Sequence, residues 1–192
     1  FKLPNVIFQE ETNIFHEENG IVVDPQFFTI FNFPLIEGNP ETALSSPSNV
    51  IITESLAKKY FGNSDPINKT MNIDGKSASV VTGVIKDIPK NSHLKFDFVL
   101  PFCLLEAIMP SDVNNWGAFN YTTYLQLAPG ANIAAINQKI NQIAKDKLPS
   151  QLLTFWNHFE LQPLSQIHLS ADISNHHFLG DFTVVEDRNT VY

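Results

Sequence analysis

Ser55 and Lys58 stand three residues apart in Thr53-Glu54-Ser55-Leu56-Ala57-Lys58. At that spacing a lysine one helical turn away can activate a serine hydroxyl as a nucleophile. The Ser-Asp-Asn and Lys-Thr-Gly partners of such a centre do not occur in the chain, so a solvated helix face is the better reading. His168, Asp172, His176 and His177 supply the imidazole and carboxylate groups that Zn²⁺ prefers. Their spacing fits no established metal pattern, and the Asp172 to Asn175 stretch reads as loop, with no helix to aim the ligands. Glu10, Glu11, Glu17 and Glu18 would suit acid–base chemistry only if they converged across a pocket with separated pKa values; side by side in sequence they read as an acidic, solvated edge. His16, beside Glu17 and Glu18, and the isolated His93 and His158 read as hydrogen-bonded or exposed. No catalytic, cofactor-binding or metal-binding residue is assigned, and no cofactor is expected.

The elements that would have to hold these groups are legible from periodicity and punctuation. Asn5 to Gln9, Asn13 to His16 and Gly20 to Val23 are short runs rich in Val, Ile and Phe, and predict strands. Asp24-Pro25 opens a short helix over Pro25 to Phe31, with Asp as cap and Pro in the first turn. Phe27, Phe28, Phe31 and Phe33 cluster around it and read as core in preference to an apolar partner patch. Asn49 to Thr53 predicts a strand, and Thr53 to Gly62 a capped helix with Leu56, Ala57, Tyr60 and Phe61 inward and Gly62 as a left-handed stop. Asp74-Gly75-Lys76 between Thr70 to Ile73 and Ser77 to Ile85 is a hairpin signal. Lys95 to Phe102, Tyr121 to Leu127 and His158 to Leu164 supply further strands. The clearest helix runs from Ile133 to Lys147, where Ile133, Ile136, Ile140, Ile143 and Ala144 form one apolar stripe.

Composition narrows the functional classes. With 192 residues and 43% hydrophobic against 17% charged, the chain is a folded globular protein of one large or two small domains. Arg188 is the only arginine and the net charge is −8, which leaves bidentate phosphate forks essentially unavailable and argues against nucleic acid. The charge is uneven: residues 1–50 carry seven acids against Lys2, whereas 51–100 carry five acids against seven lysines, as two subdomains would. Cys103 is alone, so no internal disulfide forms, and it reads as a small buried thiol. The chain opens on Phe1 without a signal segment and holds no apolar run of spanning length, so an excised, soluble piece is expected. Alternating helix and strand signals at both ends of a β-rich middle predict an α+β fold with an inserted β subdomain.

Several segments together resemble the MacB-like periplasmic core domain of FtsX-like ABC transporter permeases. They are VDPQFFTIFNFPLIEGNPETAL at Val23 to Leu44, NVIITESLAKKYFGNSDPINKTMNIDGK at Asn49 to Lys76, VTGVIKDIPKNSHLKFDFVLPF at Val81 to Phe102, WGAFNYTTYLQL at Trp116 to Leu127 and LQPLSQIHL at Leu161 to Leu169. Asn68 stands where the family usually has Gly; Asn also tolerates the left-handed conformation. The resemblance implies a discontinuous, mixed α/β porter-like subdomain over 1–45 and 116–192, with a β-rich sabre-like subdomain inserted over 46–115. It further implies a place on the periplasmic side of the bacterial inner membrane, between transmembrane helices. A cytosolic ATPase subunit would drive the permease, and a second copy of the domain or a permease dimer, or a periplasmic adaptor or substrate, would be further partners. The expected function is non-catalytic transmission of ATP-driven motion to a substrate. The competing readings are a secreted serine or metal-dependent hydrolase and a soluble ligand-binding module.

Overall fold

A computed structural model describes residues 2–3, 6–10, 13–73, 77–118, 121–155, 158–166 and 182–185. The chain forms two compact units, divided between Pro110 and Ser111.

The first unit holds nine strands in one sheet: β1 (Lys2–Leu3), β2 (Val6–Glu10), β3 (Asn13–Glu17), β4 (Gly20–Val23), β5 (Leu35–Gly38), β6 (Asn49–Thr53), β7 (Thr70–Ile73), β8 (Ser77–Ile85) and β9 (Phe98–Pro101). Their order is β1-β4-β9-β6-β8-β7-β2-β3, with β5 on β8. Every residue of β6 is buried, which explains the unbroken Asn49-Val50-Ile51-Ile52-Thr53 run: a strand covered on both faces has no polar alternation. It lies parallel to β8 and antiparallel to β9. Phe8, Ile51, Ile52, Phe98 and Val99 are fully buried around it, and the Phe8 and Phe98 rings meet edge to face with centroids 4.7 Å apart. Gly20 pairs with Phe98 across the β4–β9 ladder; a Cβ there would fall 2.3 Å from that ring, so the close approach requires glycine. Ile73 pairs with Ser77 in an antiparallel ladder, as a hairpin through 74–76 demands, although Asp74, Gly75 and Lys76 themselves lie outside the described residues.

Helix α1 spans Phe27–Ile30, shorter than expected. Asp24 acts one step earlier, its Oδ1 accepting from the Gln26 N–H at 2.8 Å to shape the turn before the helix. Helix α2 spans Glu54–Phe61; the Thr53 hydroxyl accepts from the Leu56 N–H at 3.3 Å, and Gly62 ends it at φ +61°. Asn68 adopts φ +64°, the left-handed position expected of it. The strand expected over Lys95 to Phe102 is confined to β9, because α3 (Phe102–Ile108) begins where it ends, followed by α4 (Pro110–Val113). Cys103 on α3 is only half-buried.

The strands of 46–115 do not form a sheet of their own. β6 and β9 separate β4 from β8, and β2 pairs with β7, so residues 1–45 and 46–115 interleave in one sheet. Burying β6 on both edges requires those non-local partners, which local charge and strand signals do not report.

The second unit, by itself, contains β10 (Thr123–Gln126), α5 (Ile133–Lys147), β11 (Leu161–Pro163) and β12 (Phe182–Val185). The strands are parallel in the order β10-β12-β11. The Asn132 side chain caps α5 by accepting from the Ala135 N–H at 3.0 Å. Ala144, Leu148 and Phe159 form its small core, with Ile140 and Leu153 packed against them.

Candidate functional site

Ser55 is exposed in the first turn of α2. Its hydroxyl donates to Asp87 Oδ2 at 2.5 Å and its N–H donates to Asp87 Oδ1 at 3.0 Å. A carboxylate clamped on the first N–H groups of a helix is a cap. Asp87 thus ties the end of β8 to the start of α2, and this serine does an architectural task.

The acids do not share one environment. Glu18 is exposed, but Glu17 at the end of β3 is buried, contrary to its expected place on a solvated edge. Its Oε1 accepts from Lys59 Nζ at 2.6 Å and from the Tyr60 hydroxyl at 2.7 Å. Both donors come from α2. Burial pushes the Tyr60 hydroxyl far above its ordinary range, and the hydrogen bond to Glu17 and its negative charge push it the same way. The carboxylate therefore pins the β3 end to α2 through charge-assisted bonds.

His16 and His158 are exposed, and His158 Nε2 lies 3.6 Å from Glu160 Oε2 at the surface. His93 packs its ring against Phe31, centroids 6.1 Å apart. His168, Asp172, His176 and His177 lie outside the described residues; among the described residues no three potential ligands gather. The aromatic cluster is core in part: Phe27 and Phe31 are buried, Phe28 and Phe33 are half-buried, and Phe27 contacts Phe31, Phe33 and Phe96 with centroids 4.9, 5.8 and 5.9 Å apart.

A feature with the shape of a binding site lies among described residues of the second unit. A cleft of about 290 Å³ opens between α5 and residues within 113–118 and 121–123. Ala144, Leu148 and Phe159 form its buried floor. Trp116 and Ile143, 50% and 49% exposed, stand at its mouth. The polar groups in its wall are Asn115, Tyr121 and Thr123; burial, and then the Asp112 charge, push the Tyr121 hydroxyl above its ordinary range.

The cleft keeps its form through two asparagines that sequence reading passed over. Asn141 Nδ2 donates to the Phe159 carbonyl at 2.6 Å, and its Oδ1 accepts from the Phe159 N–H at 2.8 Å. Asn137 Oδ1 accepts from the Leu161 N–H at 3.0 Å. Two Asn at i and i+4 inside a helix, where their propensity is poor, were the available signal.

The sheet and the helices on it define an α+β fold of the porter-like kind found in permease domains. Two solved structures share it. One is a domain of a permease protein from Porphyromonas gingivalis, 23% identical, covering 78% of this chain and 67% of that one, with TM-score 0.59. The other is the periplasmic region of MacB from Actinobacillus actinomycetemcomitans, 16% identical, covering 74% of this chain and 62% of that one, with TM-score 0.53. At these identities the likeness is one of fold, and the chain spans about two thirds of the length of each. A search of curated proteins gives no match. The profile of the MacB-like periplasmic core domain matches residues 5–143. The chain belongs to that family, the periplasmic domain of MacB-like and FtsX-like ABC transporter permeases. Among the described residues no helix is long and apolar enough to cross a membrane.

Proposed function

We propose that this domain is a non-catalytic, periplasmic part of an ABC permease, anchored by transmembrane helices of a longer chain at the bacterial inner membrane. In this reading a cytosolic ATPase subunit drives the membrane part, and the domain passes the motion on to export or extraction of a substrate. A periplasmic adaptor, or a second copy of the domain, is the further partner. The observation that carries the reading is the family match over residues 5–143. The use of Ser55 and Glu17 to fasten α2 to the sheet agrees with a mechanical role.

The test of placement is impermeant maleimide labelling of a single cysteine at exposed Asn63, in the full-length protein with Cys103→Ser, in spheroplasts. Labelling before the inner membrane is opened supports a periplasmic domain. Protection until it is opened contradicts it.

A further inference from the structure

The α5 stripe promises one buried face, yet only part of it is covered. Ala144 is buried, while Ile143 beside it in sequence is 49% exposed. Across the cleft Trp116 is 50% exposed. A large aromatic and a branched aliphatic, both exposed on the wall of one cleft over a buried apolar floor, lose free energy to water unless something apolar covers them.

Size limits the occupant. About 290 Å³ is at the small end of ligand pockets, roughly 300–1,000 Å³, and an α-helix of roughly 10–12 Å diameter cannot enter. One alkyl chain or one ring system fits. Charge indicates the other end of the molecule. Lys139 and Lys147 lie four residues before and after Ile143 on α5, the spacing that places side chains along one helix face. Both are exposed, and neither is in an ion pair among the described residues. Asp146, on the same helix, accepts from Gln142 Nε2 at 2.9 Å. Asn115 uses its Oδ1 on the Gly117 N–H at 2.9 Å, which leaves its amide NH₂ as a donor at the cleft wall.

We propose that this cleft binds a small anionic amphiphile as a monomer, its single aliphatic chain between Trp116 and Ile143 over Phe159, and its anionic head near Lys139 and Lys147. The proposal concerns this unit's own chemistry and does not depend on the transport reading; absence of binding would leave the family membership and the maleimide result as they are.

The test is calorimetry at low salt on the 192-residue chain, with decanoate below its micelle concentration. Saturable one-site binding is expected. Ile143→Asp puts a carboxylate beside the chain at an already exposed position and weakens binding by about tenfold or more. The pair Lys139→Glu and Lys147→Glu weakens decanoate by about 3–10-fold at low salt and by less at high salt, while the neutral octyl glucoside is unaffected by that pair. Decanoate also shifts the Trp116 indole N–H resonance. Circular dichroism confirms that both variants fold. No saturable binding by the parent chain, undiminished binding by Ile143→Asp, or decanoate-induced shifts confined to residues away from the cleft would overturn the proposal. An unchanged decanoate affinity in the lysine variant would overturn the assignment of an anionic head.

Discussion

Replacing Tyr60 with Phe removes a single O–H donor from a buried carboxylate and leaves the ring in place. Glu17 Oε1 accepts two bonds, 2.6 Å from Lys59 Nζ and 2.7 Å from the Tyr60 hydroxyl. The ring keeps its edge-to-face contact with Phe8, centroids 6.0 Å apart, so packing changes little. A hydrogen bond to a charged acceptor contributes about 1.5–3 kcal/mol. Lys59 is 41% exposed and continues to neutralise Glu17, so the lower part of that range applies, about 2 kcal/mol. Glu17→Ala removes both bonds and opens space behind them, costing about 3 kcal/mol. Because the two substitutions delete one shared bond, the double variant falls short of additivity by about 1–2 kcal/mol. Two compact units need not unfold together, so the assay is local: native-state hydrogen exchange of the α2 amides. A 2 kcal/mol loss raises their exchange by roughly 30-fold when exchange proceeds through opening. Exchange in Tyr60→Phe within about threefold of the parent, or additive effects in the double variant, would refute the assignment of Glu17 as the pin between β3 and α2.

Gly20→Ala forces a Cβ to 2.3 Å from the Phe98 ring and destabilises the first unit by about 1–3 kcal/mol, measured as a shift of its urea midpoint; an unshifted midpoint contradicts the close approach. Ser55→Ala removes a hydroxyl from a cap whose N–H bond to Asp87 persists, so about 0.5–1 kcal/mol is lost and hydrolysis of ester or amide probes is unchanged; a fall in hydrolytic rate would revive the nucleophile reading. The Tyr60 hydroxyl is raised above its ordinary 10.0 by burial and by Glu17. Below pH 10 it is protonated in both folded and unfolded chains. Above pH 10 the unfolded chain releases the proton and the folded chain does not, so stability falls as pH rises. Tyr60→Phe makes that alkaline fall shallower in urea titrations; an identical slope would contradict it.

Local signals placed the elements that local chemistry decides. α5 runs over the expected Ile133–Lys147, and β6, β7 and β8 fall where apolar runs and the Asp-Gly turn put them. The capped helix after Thr53 and the left-handed Asn68 were equally readable, since each depends on one residue's conformational preference. What escaped was decided by distant partners. β5 is a strand because it pairs with β8, and nothing in Leu35 to Gly38 alone specifies it. Glu17 resembles Glu18 in sequence, yet α2, some forty residues further along the chain, brings Lys59 and Tyr60 onto one and not the other. The Ile stripe on α5 told which face turns inward but not how much of it neighbours cover, so the exposed Ile143 and the cleft beside it emerge only from the structure. Arg188 and the His168, Asp172, His176 and His177 set lie outside the described residues.

Family membership places the chain among periplasmic domains of ABC permeases, and in the first unit Asp87 and Glu17 fasten α2 to the sheet. The most direct measurement is hydrogen exchange of this domain within the full-length permease, reconstituted with its ATPase, compared without nucleotide and with ATP trapped by vanadate. Transmission of motion predicts that ATP alters exchange in segments of this domain while the core strands β6 and β8 stay protected. Identical exchange throughout the domain, with the ATPase demonstrably trapped, would contradict it.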